Sequence, residues 1–170
     1  MKRFGYAVKG RLVGLILALP LPFLALAYGP SPVLRVVTDG GEVILSVAIP
    51  ERRWEVHWRH SVSGVWLYEA YRWCDGAIVL TDAFAPHLDL AGMGYTPGRG
   101  ELRLLPEGYR GVRYHIAGID EVIPVEHRFR LGSSLAPTVL VVAGRHYPLS
   151  ELYPGGSVRF EVLAFSATAP

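Results

Sequence analysis

Glycine and proline interrupt this chain so often that long helices have little room to form. There are 19 Gly and 13 Pro in 170 residues, and both are unfavourable inside helices. Beyond an apolar N-terminal run, no stretch of a dozen residues repeats its apolar side chains at helical spacing. Short runs rich in Val, Leu, Tyr and Trp lie between the breaks. They predict strands at Val33–Thr38, Glu42–Ile49, Trp54–Ser61, Val65–Trp73, Ala77–Ala83, Leu102–Leu105 and Val112–Ile116. Further strands are predicted at Glu121–Arg130, Thr138–Val142, His146–Leu149 and Val158–Ala164. Asp39-Gly40-Gly41, Ser63-Gly64, Asp75-Gly76, Ala143-Gly144 and Pro154-Gly155-Gly156 supply turns between them. Evenly spaced short strands with Gly-rich turns predict an all-β fold, an antiparallel β-sandwich or partly open barrel of about nine to eleven strands. Pro86–Gly100 reads as a long loop.

The first 27 residues stand apart. Lys2, Arg3, Lys9 and Arg11 precede the apolar run Leu12–Ala27, which Pro20 and Pro22 break. That run is short for a membrane span, and Ala25-Leu26-Ala27 has the small-x-small form of a cleavage site. Residues 1–27 therefore read as a signal peptide or an N-terminal membrane anchor, and 28–170 as a single exported domain, periplasmic or in the cell envelope. The charge balance follows this division. Four of the 17 basic residues belong to the leader; the remaining 13, all Arg, face 15 acids. The net charge of +2 thus comes from the leader and does not indicate nucleic-acid binding, which needs a basic stripe on the folded part.

Chemistry-bearing motifs are few. The lone Cys74 excludes an internal disulfide and C-x-x-C chemistry. Phosphate-binding Gly loops, H-E-x-x-H and G-x-S-x-G are absent from the sequence, which points away from the well-marked enzyme classes. No cofactor, metal site or catalytic residue is assigned. His57 and His60 point to opposite faces of a strand, which argues against an H-x-x-H zinc site.

The hairpin W-E-V-H-W-R-H-S followed by V-W-L-Y-E-A-Y-R-W is the most informative segment. Alternation places Trp54, Val56, Trp58 and His60 on one face of the first strand. Val65, Leu67, Glu69, Tyr71 and Trp73 share one face of the second, while Trp66 and Tyr68 take the other. A tight turn at Ser63-Gly64 would set His60 against Leu67, with Glu69 diagonal to it; a turn at Gly64-Val65 would set His60 directly against Glu69. Either way two ionisable groups interrupt an apolar face and are expected to pair, with each other or with a ligand. An internal His–Glu hydrogen bond fixing register, a ligand or partner site, and a catalytic base are the three readings, in that order. Trp66 and Tyr68 are candidates for a partner patch if their face is exposed.

Trp58-x-His60-Ser61-Val62, then Trp66-x-x-Glu69-x-Tyr71, Ala91-Gly92-Met93 and a looser match over Val139–Leu149 and Leu152 carry a further signal. In this order they resemble the domain of unknown function 1850 family, across nearly all of Val33–Leu163. The resemblance implies a small exported domain associated with tripartite ATP-independent periplasmic (TRAP) transporters of the TAXI type. It implies a non-enzymatic accessory role, in contact with the permease or the solute-binding receptor, and the membrane reached only through the leader or a partner. The residues it brings forward are His60, Ser61, Glu69, Gly92 and Met93, with no established role attached. The alternative is an exported module that binds a small ligand or cation with the His60/Glu69 face and the 86–100 loop.

Overall fold

The computed structural model describes residues 31–87, 98–106 and 111–164. The leader lies outside them, as do Gly92, Met93 and most of the 86–100 loop. The described residues form eleven strands and one four-residue helix: β1 (Val33–Thr38), β2 (Val43–Ala48), β3 (Arg53–Arg59), β4 (Trp66–Cys74), β5 (Ala77–Ala85) and β6 (Glu101–Leu104). Then follow β7 (Tyr114–Ile123), β8 (Phe129–Arg130), β9 (Thr138–Val142), β10 (Arg145–Tyr147), α1 (Leu149–Leu152) and β11 (Ser157–Leu163).

Two antiparallel sheets are present, ordered β2-β1-β11-β8 and β10-β9-β3-β4-β5-β7-β6. Neither closes on itself, so the fold is a sandwich and not a barrel. Period-two alternation drives the packing. Leu34 and Val36 of β1, Val158 and Phe160 of β11, Leu140 and Val142 of β9, and Trp54 and Val56 of β3 meet in one buried core between the sheets. Each large apolar side chain buried there contributes roughly 1.5–3 kcal/mol. A second cluster, Leu67, Ala83, Ala85 and Ile116, is built from the larger sheet alone. Trp58 packs against both.

The turns at Asp75-Gly76 and Ala143-Gly144 are two-residue hairpin loops, with positive φ at both central residues (51° and 84°; 47° and 75°). That is the geometry the right-handed strand twist favours. The segments Val112–Ile116 and Glu121–Arg130 are a correction. One strand, β7, runs from the end of the first into the start of the second, and the chain then leaves the larger sheet to place β8 beside β11 in the smaller one. Pro124 marks the exit, with the His127 N–H donating to its carbonyl at 2.9 Å. Proline cannot donate to a ladder and so ends the pairing.

Candidate functional site

Strands β3 and β4 pair with Val56 opposite Glu69, Trp58 opposite Leu67 and Arg59 opposite Trp66. The expected faces hold, but the register differs by two residues. The connection is a four-residue loop, Ser61–Gly64, closed by His60 N–H to Val65 O (2.8 Å) and Gly64 N–H to His60 O (2.9 Å). The expected His60–Glu69 pair therefore does not form. Trp58 and Leu67 occupy the position between the two, and the separation amounts to about 13 Å of strand. The reason lies in His60 itself: its Nδ1 accepts the Ser63 backbone N–H (3.2 Å) and sits 2.9 Å from Ser63 Oγ. The imidazole thus organises the longer turn.

Glu69 is half-buried on the inner face, between the two apolar clusters. The Tyr71 hydroxyl donates to its Oε2 at 2.6 Å. Burial lifts the Glu69 carboxyl above its ordinary 4.5, the Tyr71 hydrogen bond and the Arg99 charge oppose that lift, and Glu121 adds to it. Arg99 and Glu121 pair with each other at 2.7 Å. Burial and the neighbouring Glu69 push the Tyr71 hydroxyl well above 10.0, so it remains a donor.

Both His60 and Glu69 line one cavity of about 590 Å³ that opens between the sheets. Val56, Trp58 and the His60-Ser61 turn form one wall. The crossover from His127 to Ser133, with Ala136 and Gly155, forms the rest of the lining, and Thr138 lies beside Trp58 as its cross-strand partner. The crossover is tied down by hydrogen bonds: Gly132 N–H to Thr138 Oγ1 (3.0 Å), Thr138 N–H to Ser150 Oγ (2.7 Å) and Gly155 N–H to Gly132 O (3.1 Å). Arg59, Arg128, Arg130, His60 and His127 contribute to the cavity's lining beside one carboxyl, Glu69, with Arg59 and Arg130 on strand positions that alternate away from the inward Trp58 and Phe129. Arg128 is engaged by Asp39 (2.7 Å) and Arg59 by the Gly64 carbonyl (2.8 Å), whereas Arg130 is exposed at the edge strand β8. His127, Arg128 and Arg130 went unnoticed in the sequence because Glu121–Arg130 read as one strand; Pro124 was the signal available.

The other candidates separate. Ser61 is exposed in the turn and lines the cavity. Trp66 and Tyr68 lie on the outer face of the larger sheet, away from the cavity, with Trp66 36% exposed. His57 is also outward, its Nε2 2.6 Å from Glu55 Oε2. The Cys74 thiol donates to the Asp75 carboxylate, which raises its pKa and makes it a poor nucleophile. Among the described residues no three His, Cys, Asp or Glu side chains are grouped to hold a metal ion.

The raised carboxyl predicts a pH dependence. A folded-state pKa above the unfolded value means the folded chain holds its proton longer. That contribution is fully present below the ordinary 4.5 and is lost as the pH climbs through the folded value. Glu69→Gln removes the charge and keeps an acceptor for Tyr71. The variant is expected to melt above the parent at pH 7, with the difference shrinking towards pH 4; an unchanged difference across a pH series of melting curves would refute the assignment.

A scan of the chain against protein-family models gives no match, and comparisons with curated proteins and with solved structures give none either.

Proposed function

We propose that this chain is a non-enzymatic, exported ligand-binding domain whose inter-sheet cavity takes a small organic acid with an apolar body. The cavity carries the reading. Its volume falls in the range of small-molecule sites. Val56, Trp58, Phe129 and Leu131 offer apolar contact, and Arg128 with the His60 and His127 imidazoles in the lining offers donors to an anionic head group. Arg128, on the crossover at the cavity mouth, anchors that head group, as a guanidinium suits a carboxylate bidentately. Glu69, with Tyr71 behind it, accepts from a hydroxyl or ammonium on the ligand body. The cation-binding alternative is disfavoured by the same lining.

The order of the His60-Ser61-Val62, Glu69 and Ala91-Gly92-Met93 segments supports a place for this domain beside a TAXI-type TRAP transporter, contacting permease or solute receptor. An organic-acid site suits an accessory protein that senses or delivers the transported solute.

A thermal-shift panel tests the site. Ligand at about a hundred times its Kd stabilises by about 2.7 kcal/mol, which raises the melting temperature by roughly 8 °C for a domain of this size. Apolar monocarboxylates are expected to produce that shift, divalent ions are not, and Arg128→Gln should weaken binding about tenfold or more. A flat response across the acids would remove the proposal. Co-purification of the tagged chain with permease or receptor tests the transport role separately.

A further inference from the structure

The three most exposed large apolar side chains among the described residues are Val62 (89%), Leu135 (84%) and Val125 (80%). They are far apart in sequence, yet each lies within two residues of the cavity lining. Val62 follows Ser61, Leu135 precedes Ala136, and Val125 stands two residues before His127. Two of these tips are also neighbours of one another. Trp58 pairs with Thr138 across β3 and β9, and the Arg59 N–H donates to the Pro137 carbonyl at 3.0 Å. The turns that adjoin this pairing, Ser61–Gly64 and Ser133–Ala136, therefore stand side by side, the second closed by Ala136 N–H to Ser133 O at 3.1 Å. Each carries one large apolar side chain among serines: Ser61-Val62-Ser63 and Ser133-Ser134-Leu135. Val125 occupies a third turn, which the His127 N–H closes on the Pro124 carbonyl.

We infer that this rim is a membrane-docking surface, seated on a bilayer that contains anionic lipid. A protein interface is built around a continuous apolar centre. These tips are single side chains separated by polar turns, and they do not make one. They suit shallow insertion instead. Each can enter the boundary between headgroups and acyl chains while its serines and backbone stay among the hydrated headgroups. Charge acts in the same direction. Arg59 adjoins the first turn, and Arg128 and Arg130 follow the third; the acids beside them are Asp39, paired with Arg128 at 2.7 Å, and Glu126. The rim is therefore net positive, and the exposed Arg59 and Arg130 are available to lipid phosphates. This contact is separate from any that the leader makes. Its consequence for the cavity rests on the function proposed above: the mouth would open at the lipid surface, where an acid with an apolar body partitions.

Position-specific labels test the contact in the full chain, whatever the leader does. In a Cys74→Ser background, Val62→Cys, Leu135→Cys and Leu104→Cys each carry one environment-sensitive dye. Leu104 is the control, 69% exposed on β6 and no part of the rim. With vesicles of phosphatidylcholine containing about 30% phosphatidylglycerol, emission at Val62 and Leu135 is expected to move to the blue and rise severalfold, while emission at Leu104 stays unchanged. Phosphatidylcholine alone should give a response about fivefold weaker, the factor that one Arg near an anionic surface contributes. Melting curves check that the labelled forms are folded. Should the Cys74→Ser background fail, Val62→Trp, Leu135→Trp and Leu104→Trp, read by quenching from brominated acyl chains, make the same comparison. Tip labels that stay in water on the anionic vesicles, a Leu104 label that shifts equally, or an equal response to both lipids would each overturn the inference. So would a response confined to native membranes and absent from pure lipid, which would assign the rim to a protein partner. The thermal-shift panel reads the cavity independently, so either result can fail without the other.

Discussion

Gly132→Ala is expected to destabilise the domain by about 3 kcal/mol, the upper end of overpacking costs, or to prevent its accumulation. A Cβ at Gly132 would fall 1.6 Å from the Ala136 carbonyl oxygen and 3.6 Å from Thr138 Oγ1. The first contact is with backbone, so no side-chain rotation relieves it. The backbone cannot yield cheaply either, because Gly132 donates to Thr138 and accepts from Gly155 in the wall of the cavity. Moving it would break both hydrogen bonds, at about 0.5–1.5 kcal/mol each. Gly40→Ala is the control: its nearest atom is Thr38 Oγ1 at 3.7 Å, and its cost is expected within about 0.5 kcal/mol. Urea midpoints for the two variants measure the difference. Equal midpoints would show that the crossover is looser than described, and the cavity wall with it.

Leu67→Ala is the second large effect, expected near 3 kcal/mol. Leu67 is fully buried, in the cluster that the larger sheet builds by itself. Its immediate neighbour Trp66, a larger side chain, is on the outer face. Trp66→Ala is therefore expected to cost under about 1 kcal/mol in folding. Chemical denaturation of both variants measures the difference. A cost for Trp66→Ala that matched Leu67→Ala would mean that the faces of β4 were assigned the wrong way round.

Much of the hairpin was legible because strand geometry is local. Side chains alternate with period two whatever the rest of the chain does. Trp54, Val56 and Trp58 against Leu67, Glu69 and Tyr71 could be placed on one face from their order alone, and the structure keeps them there. The register could not be read in the same way. It depends on whether the connection has two or four residues, and that choice turns on the His60 side chain bonding to Ser63. Ser63-Gly64 resembles the Asp75-Gly76 and Ala143-Gly144 turns, yet only Gly64 of that pair has positive φ.

The candidate site divides along the same line. His60, Ser61 and Glu69 were visible as polar interruptions of an apolar hairpin, and all three line the cavity. Arg128, Arg130 and His127 on the facing wall were not, since they follow a crossover some seventy residues further along the chain. The amino-acid order alone established the all-β class, the strand faces and most turns, because each follows from steric and hydrogen-bonding rules acting over a few neighbouring residues. Which distant segment closes the cavity, which acid meets which base and which rows align across the larger sheet were decided only by the packing of the two sheets. Those outcomes are set by the sum of many contacts between remote parts of the chain, and no short window contains it.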